Sequence, residues 1–391
     1  MEEGTINEQT IIDPERQIKA KQYARIQRRL MMLDLAFGGV YLLAWLIFGW
    51  SAGLAGWLRQ ISTNAWLVVF LFIVVLGGIY YLLDLPLSFY QGFSLPHRFD
   101  QSTQKLTDWI VDQIKGILVG GLLGVIILEI IYAILRAYPN TWWLWAAGIL
   151  LIFNVILANL APVLLMPLFY KFVPLDDEHA DLATRLIQLA KKSGTYVRGV
   201  FKFDMSKRTK AANAALTGLG NTRRIILGDT LLREFTPDEI ETVMAHELGH
   251  QVHKDIPLGI IFGSITTLVG LFSASLGLNL GVKVFRFAGT ADIAAFPLFL
   301  IILGFYELVT MPLENGLSRW RERRADEYAL DVIHNGKAYA SALRRLANQN
   351  LADADPEPWV EWILYSHPAL GKRITMAEKF GEPDHDIEGN V

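Results

Sequence analysis

Six stretches of the chain stay predominantly apolar for about 18 residues or more, the length a helix needs to cross roughly 30 Å of hydrocarbon. They run near 33–50, 65–83, 116–135, 142–165, 256–278 and 293–313. Any one of them could be a buried core helix, and Asn154 and Asn159 keep that reading open for 142–165. Six together point to lipid, because a single soluble core rarely needs so many long apolar helices. Asn154, Asn159 and Glu129 are costly in lipid and are expected to face the bundle interior or a wet chamber.

The polar segments set the orientation. Some thirty residues with Arg16, Lys19, Lys21, Arg25, Arg28 and Arg29 precede the first apolar run. That is too long and too basic for the n-region of a cleaved signal peptide, so the run reads as an uncleaved first span with a cytoplasmic N-terminus. Six crossings then leave 84–115, 171–255 and everything after 313 on the cytoplasmic side; in a prokaryote this is the cell membrane. The 51–64 and 136–141 loops carry one arginine each, as expected outside, while Lys283 and Arg286 run against the rule. The expected organisation is a cytoplasmic segment 1–32, spans 1–4 within 33–170, a cytoplasmic part 171–255, spans 5–6 within 256–313, a second cytoplasmic part 314–375, and a tail 376–391. In 171–255 a charged helical pattern, Asp181 to Lys192, is followed by strand-like Tyr196–Phe203 and Arg224–Leu227. The last part reads as helices broken at Asp353–Pro358, fading into acidic Glu382–Glu388, a solvated disordered end.

Composition narrows the chemistry. Hydrophobic residues make up 52% of the chain, mean hydropathy is +0.30, and the net charge of −3 leaves no basic surplus for phosphates. Nucleic acid is therefore not an expected partner; lipid bilayer is. The absence of cysteine excludes disulfides, thiolate zinc sites and thiol nucleophiles. Any metal must be held by histidine and carboxylates.

Thr236-Pro237-Asp238-Glu239 opens a helix: a threonine N-cap, proline in the first turn, and glutamate placed for a capping box. On that helix His246-Glu247-Leu248-Gly249-His250 puts two imidazoles one turn apart on one face, where both reach a single Zn²⁺. Glu247 can lie beside a water activated at the metal and take its proton, the metal lowering that water's pKa toward about 7. A catalytic zinc takes a third protein ligand and keeps one open position. After the sixth span, Glu322 and Asp326 share a helix face at i and i+4: Glu322 as third ligand, Asp326 as acceptor fixing a ligand imidazole. By itself this stretch also reads as an ordinary salt-bridged helix face; its position on the same membrane side as the first motif favours the metal.

These two elements resemble the zinc motifs of integral-membrane gluzincin peptidases of the CaaX prenyl protease type 1 family. Supporting stretches are similar as well: Arg208 to Ala215 with Thr217–Gly220, Arg224 to Leu232, Ser366-His367-Pro368 with Arg373-Ile374, and His97 to Thr103. The resemblance runs from about 85 to 375 and departs in carrying six spans where eukaryotic members have seven. It implies a zinc endopeptidase with one Zn²⁺ per chain on His246, His250 and Glu322, Glu247 as base, and helices enclosing a chamber beside the site. It further implies that a strand around Asn213 and Ala214 aligns the substrate backbone. His367 would then steady the developing oxyanion, and Asp326 would join the catalytic group. Read from the residues alone, Asn213 is also a turn residue among alanines and His367 a loop histidine capping structure. The expected partner is a polypeptide, with a prenylated peptide as a further candidate; no oligomeric state is written in the residues.

The fold class expected is an α-helical integral membrane protein of about six transmembrane helices, with a small cytoplasmic α+β zinc metallopeptidase unit split between 171–255 and 314–375. Three other jobs stand beside CaaX-type proteolysis: quality control of membrane proteins by the same chemistry, a transporter with a structural zinc, and a catalytically dead scaffold. No inverted repeat supports a transporter, and Glu247 has no part in a structural zinc.

Overall fold

The computed structural model describes residues 12–218 and 220–380. The acidic stretch Glu382–Glu388, the first residues of the N-terminal segment and Leu219 of the Thr217–Gly220 stretch lie outside them. Among the described residues, six helices are long and apolar enough to cross a membrane. The first is α1 (Pro14–Ile47), followed by the twelve-residue α2 (Trp50–Ile61). The second crossing is α3 (Ala65–Phe89), which runs on through a π turn into α4 (Leu95–Arg98), and the third is α5 (Leu106–Ala137). The fourth is α6 (Trp142–Leu160), continued through another π turn by α7 (Met166–Phe169). None of the most apolar window in this crossing is buried, while Trp142 and Ala146 at its start are. Asn159 satisfies its amide within the helix, donating to Val155 O at 2.8 Å.

Next come β1 (Phe172–Pro174), α8 (Ala180–Lys192), β2 (Val200–Phe203), β3 (Ala214–Thr217), β4 (Arg224–Gly228), α9 (Asp229–Glu234) and α10 (Pro237–Val252). The strands form one sheet in the order β1-β2-β4-β3, with β2 and β4 parallel and β3 antiparallel to β4. The fifth and sixth crossings are α11 (Asp255–Phe285) and α12 (Phe296–Ile333); α13 (Gly336–Gln349), α14 (Pro358–Leu364) and α15 (Leu370–Lys379) complete the described chain.

Two apolar clusters hold these elements. One lies among the membrane helices around Phe72, Tyr132, Trp142, Leu271 and Phe299. Spans five and six meet closely there: Cβ atoms added at Gly270, Gly277 and Gly281 would fall 2.9 Å from Tyr306, 2.4 Å from Ile302 and 2.1 Å from Leu298. Small residues at such a seam let helices gain van der Waals contact where lipid offers no hydrophobic drive between them. The other cluster joins the sheet to α8, α10, α13 and α15 through Leu186, Ile225, Leu227, Met244, Leu248 and Leu343.

The helices reach further than their apolar windows, and one segment read as a loop is helical. The basic stretch before the first span is the first part of α1, and Gln17 Nε2 donates to Ala352 O at 3.1 Å while Arg28 pairs with Glu357 at 3.3 Å. The 51–64 connection holds α2, whose Ser51, Ala55 and Leu58 are buried. The sixth span does not stop near 313 but continues unbroken to Ile333, so Glu322 stands on the same rod as the membrane crossing.

Candidate metal centre

The N-terminus of α10 is built as its sequence dictates. Thr236 Oγ1 accepts from Glu239 N at 3.3 Å, and Thr236 N donates to Glu239 Oε2 at 2.8 Å, closing the capping box. The other Glu239 oxygen accepts from Ser341 Oγ and Arg345 Nε of α13, so the cap also docks α13. Two turns later His246 and His250 stand on one face of α10, with α12 packed against it. Gly249 makes this approach close: a Cβ there would lie 2.9 Å from Ala325 Cα.

Three side chains converge between the helices. His246 Nε2 is 3.3 Å from Glu322 Oε2, and His250 Nε2 is 3.5 Å from Glu322 Oε1. The opposite nitrogen of each ring is occupied. His246 Nδ1 lies 2.8 Å from Asp326 Oδ1, and His250 Nδ1 lies 2.8 Å from Asp255 Oδ2. Carboxylates on Nδ1 hold the proton there and turn the Nε2 lone pairs toward Glu322.

The set fits a zinc ion. Ligands at about 2.0–2.1 Å around a tetrahedral zinc stand about 3.3–3.4 Å apart, the spacing seen here. Glu322 is buried, and its Oε2 makes no hydrogen bond, with His246 Nε2 at 3.3 Å and Arg373 Nη1 at 4.0 Å as its charged neighbours, a setting that favours a cation. Glu247 is half-buried beside the pair; burial pushes its carboxyl above the ordinary range against the pull of the two imidazoles. For His246, burial works to lower the pKa, but Asp326 and Glu322 outweigh it and raise the metal-free ring to about 9.

The structure brings His367 to the same centre, with Nε2 3.2 Å from Glu322 Oε1. Burial lowers its pKa, and Ser366 Oγ and His367 Nδ1 lie within hydrogen-bond distance at 2.9 Å. Its loop is pinned from both sides. Arg319 of α12 donates to the carbonyls of Glu361 and Tyr365 at 2.9 and 2.6 Å, and Glu361 accepts from Ala369 N at 3.1 Å.

Asn213 and Ala214 stand at the head of β3, which closes the sheet on one side. Asn350 grips the preceding residue, accepting from Ala212 N at 2.8 Å and donating to Ala212 O at 3.2 Å. Gly228 N donates to Asn213 O at 2.8 Å. In an antiparallel ladder bonded pairs alternate, so residues 213, 215 and 217 face β4 while Ala214 and Leu216 turn their backbone N–H and C=O to the open edge.

Asp255, Tyr339 and Arg373 complete the surroundings, and the sequence assigned none of them a role. Arg373 clamps Asp326 with Nε and Nη2 at 2.8 and 2.6 Å, and Tyr339 OH donates to Asp326 Oδ1 at 2.5 Å. Asp255 had a local signal: it follows His250 by five residues, just beyond a helix break at Lys254, whose φ is 57°. Arg373 had one too, in the stretch after His367-Pro368. Tyr339 had none.

Comparison with known proteins agrees with this geometry. Residues 7–171 match the N-terminal region of CAAX prenyl proteases, described as five membrane helices, and residues 176–380 match peptidase family M48. Four spanning helices and the short α2 occupy the first region here. The chain is 28% identical to the uncharacterized metalloprotease YhfN of Bacillus subtilis over 94% of this chain and 86% of that one. It is 31% identical to CAAX prenyl protease 1 of Saccharomyces cerevisiae over 80% of this chain and 72% of that one. The crystal structure of S. mikatae Ste24p superimposes with a TM-score of 0.80 at 27% identity, covering 93% of this chain and 89% of that one. With the M48 match spanning more than half of the sequence and six crossings beside it, the chain belongs to peptidase family M48 and is a multi-pass membrane zinc metalloendopeptidase.

Proposed function

We propose that this chain cuts membrane-associated polypeptides at the cytoplasmic face, with one zinc on His246, His250 and Glu322. The observation that carries the assignment is the buried Glu322 Oε2, which makes no hydrogen bond and is faced by His246 Nε2 at 3.3 Å. Bound there, zinc supplies Lewis-acid polarisation of a carbonyl and acidifies water. Glu247 takes the proton of the attacking water and returns it to the departing amine; its raised pKa suits both halves of that task. Asp326 and Asp255 keep the imidazoles in the ligating tautomer. His367 donates through Nε2 to the oxygen that gains charge. The backbone of Ala214 and Leu216 takes the substrate as an added strand, which sets the scissile bond in register without reading side chains.

The basic cluster from Arg16 to Arg29 supports cytoplasmic termini, and the two cytoplasmic parts, 171–255 and 314–375, act as one peptidase unit. The likeness to CAAX prenyl protease 1 of Saccharomyces cerevisiae makes a prenylated CaaX-type peptide the first substrate to try. A panel of fluorogenic peptides, farnesylated CaaX and unmodified, given to the purified enzyme with and without chelator tests the reading. Zinc-restorable cleavage of the prenylated member supports it. Cleavage of unmodified unfolded segments alone assigns quality control, and no zinc-dependent cleavage of any member refutes the proposal.

A further inference from the structure

A cavity of about 760 Å³ opens between the first turns of α5, the end of α7, β1 and the start of β4. It is separate from the metal centre: none of the proposed zinc ligands lines it. Two of its cations are neutralised, Arg208 by a bidentate pair with Asp112 at 2.8 and 3.0 Å and Lys207 by Asp204 at 2.6 Å. Three others, Lys115, Lys171 and Arg224, have no carboxylate partner among the described residues, against a single unpaired acid, Asp108. Lys115 Nζ donates only to Leu168 O at 2.8 Å, and Arg224 Nη2 only to Pro162 O at 2.6 Å, while its guanidinium lies 5.0 Å from the centre of the Phe172 ring. Each therefore keeps donors free. Lys171 is exposed.

The mouth of this cavity is apolar and belongs to the membrane helices. Val111 and Leu168 line it and are 47% and 44% exposed; Ile114, Leu118 and Leu164 continue the same exposed apolar surface along crossings three and four. A basic pocket at the end of two membrane helices, open toward lipid-facing side chains, matches a ligand with a phosphate head and hydrocarbon tails.

We infer that this cavity binds the phosphate headgroup of an anionic phospholipid, whose acyl chains lie along α5 and α6. Arg224 begins β4 and pairs in register with Thr217 of β3, so a bound headgroup fastens the open-edged sheet to the membrane surface.

The test is native mass spectrometry of the full chain, released from detergent after incubation with phosphatidylglycerol or phosphatidylcholine of identical acyl chains. Wild type is expected to retain phosphatidylglycerol about tenfold better than phosphatidylcholine. Lys115→Gln with Lys171→Gln should abolish that preference, whereas Lys191→Gln with Lys192→Gln, on α8 and outside the cavity, should keep it. Bound zinc and an unchanged melting temperature verify that each variant is folded. Equal retention of the two lipids by wild type, or the same phosphatidylglycerol retention in both double variants, overturns the inference. So does full displacement of phosphatidylglycerol by about 10 mM inorganic phosphate, which assigns the cavity to a free anion.

Discussion

Gly249→Ala tests whether the spacing of two helices sets the metal site. The added Cβ would sit 2.9 Å from Ala325 Cα and 3.2 Å from both Ala325 O and Tyr328 Cδ1. Carbon atoms rest at about 3.5–4.0 Å, so α10 and α12 must part by at least about 0.6 Å at this point. Metal–ligand distances tolerate about 0.2 Å. Glu322 lies on α12 one turn before Ala325, so the separation carries it out of reach of an ion held by His246 and His250. The fold itself survives: alanine gains about 1 kcal/mol of helix propensity over glycine, against about 1–3 kcal/mol lost to overpacking. The expected result is a folded protein whose zinc affinity, measured by competition with a chromophoric chelator, falls at least about tenfold, with peptidase activity falling in step. Wild-type zinc affinity and turnover in this variant would refute the argument that backbone contact at Gly249 places the third ligand.

Other consequences are as direct. Asp255→Ala removes the acceptor on His250 Nδ1 and should weaken zinc binding by about 10–100-fold; an unaltered dissociation constant contradicts the role given to Asp255. In the chelated protein His246 is raised from about 6.5 to about 9 because Asp326 and Glu322 outweigh its burial. Stability from a raised group is complete below the unfolded pKa and lost as pH climbs through the folded one, so the melting temperature with chelator should fall between about pH 6.5 and pH 9. A flat profile across that window speaks against the buried His246–Asp326 pair. His367→Ala should lower kcat by about 10²-fold with KM nearly unchanged, as for a lost oxyanion donor; a rise in KM alone would assign His367 to ground-state binding.

Part of this site could be read from sequence because its determinants are local. The capping box from Thr236 to Glu239, the i, i+4 spacing of His246 and His250, and the shared face of Glu322 and Asp326 are all properties of single helices. The six crossings were legible for the same reason. Three features were not. An apolar window marks where lipid ends and not where a helix ends, so the continuation of α12 to Ile333, and of α1 back to Pro14, escaped it. Tyr339 meets Asp326 only because Glu239, a capping residue, also holds Ser341 and Arg345 of α13. That contact is tertiary and leaves no spacing in the chain. Gly249 sits inside the motif, yet its contact with Ala325 likewise emerges only when two helices are brought together.

The central claim is that zinc and Glu247 together perform peptide hydrolysis. It is tested most directly by loading wild type and Glu247→Ala with equal zinc, verified by metal analysis, and comparing cleavage of one peptide substrate. The account predicts full zinc occupancy in both and a loss of kcat of about 10²–10⁴-fold in the variant. Equal turnover by the two proteins at equal zinc would contradict it.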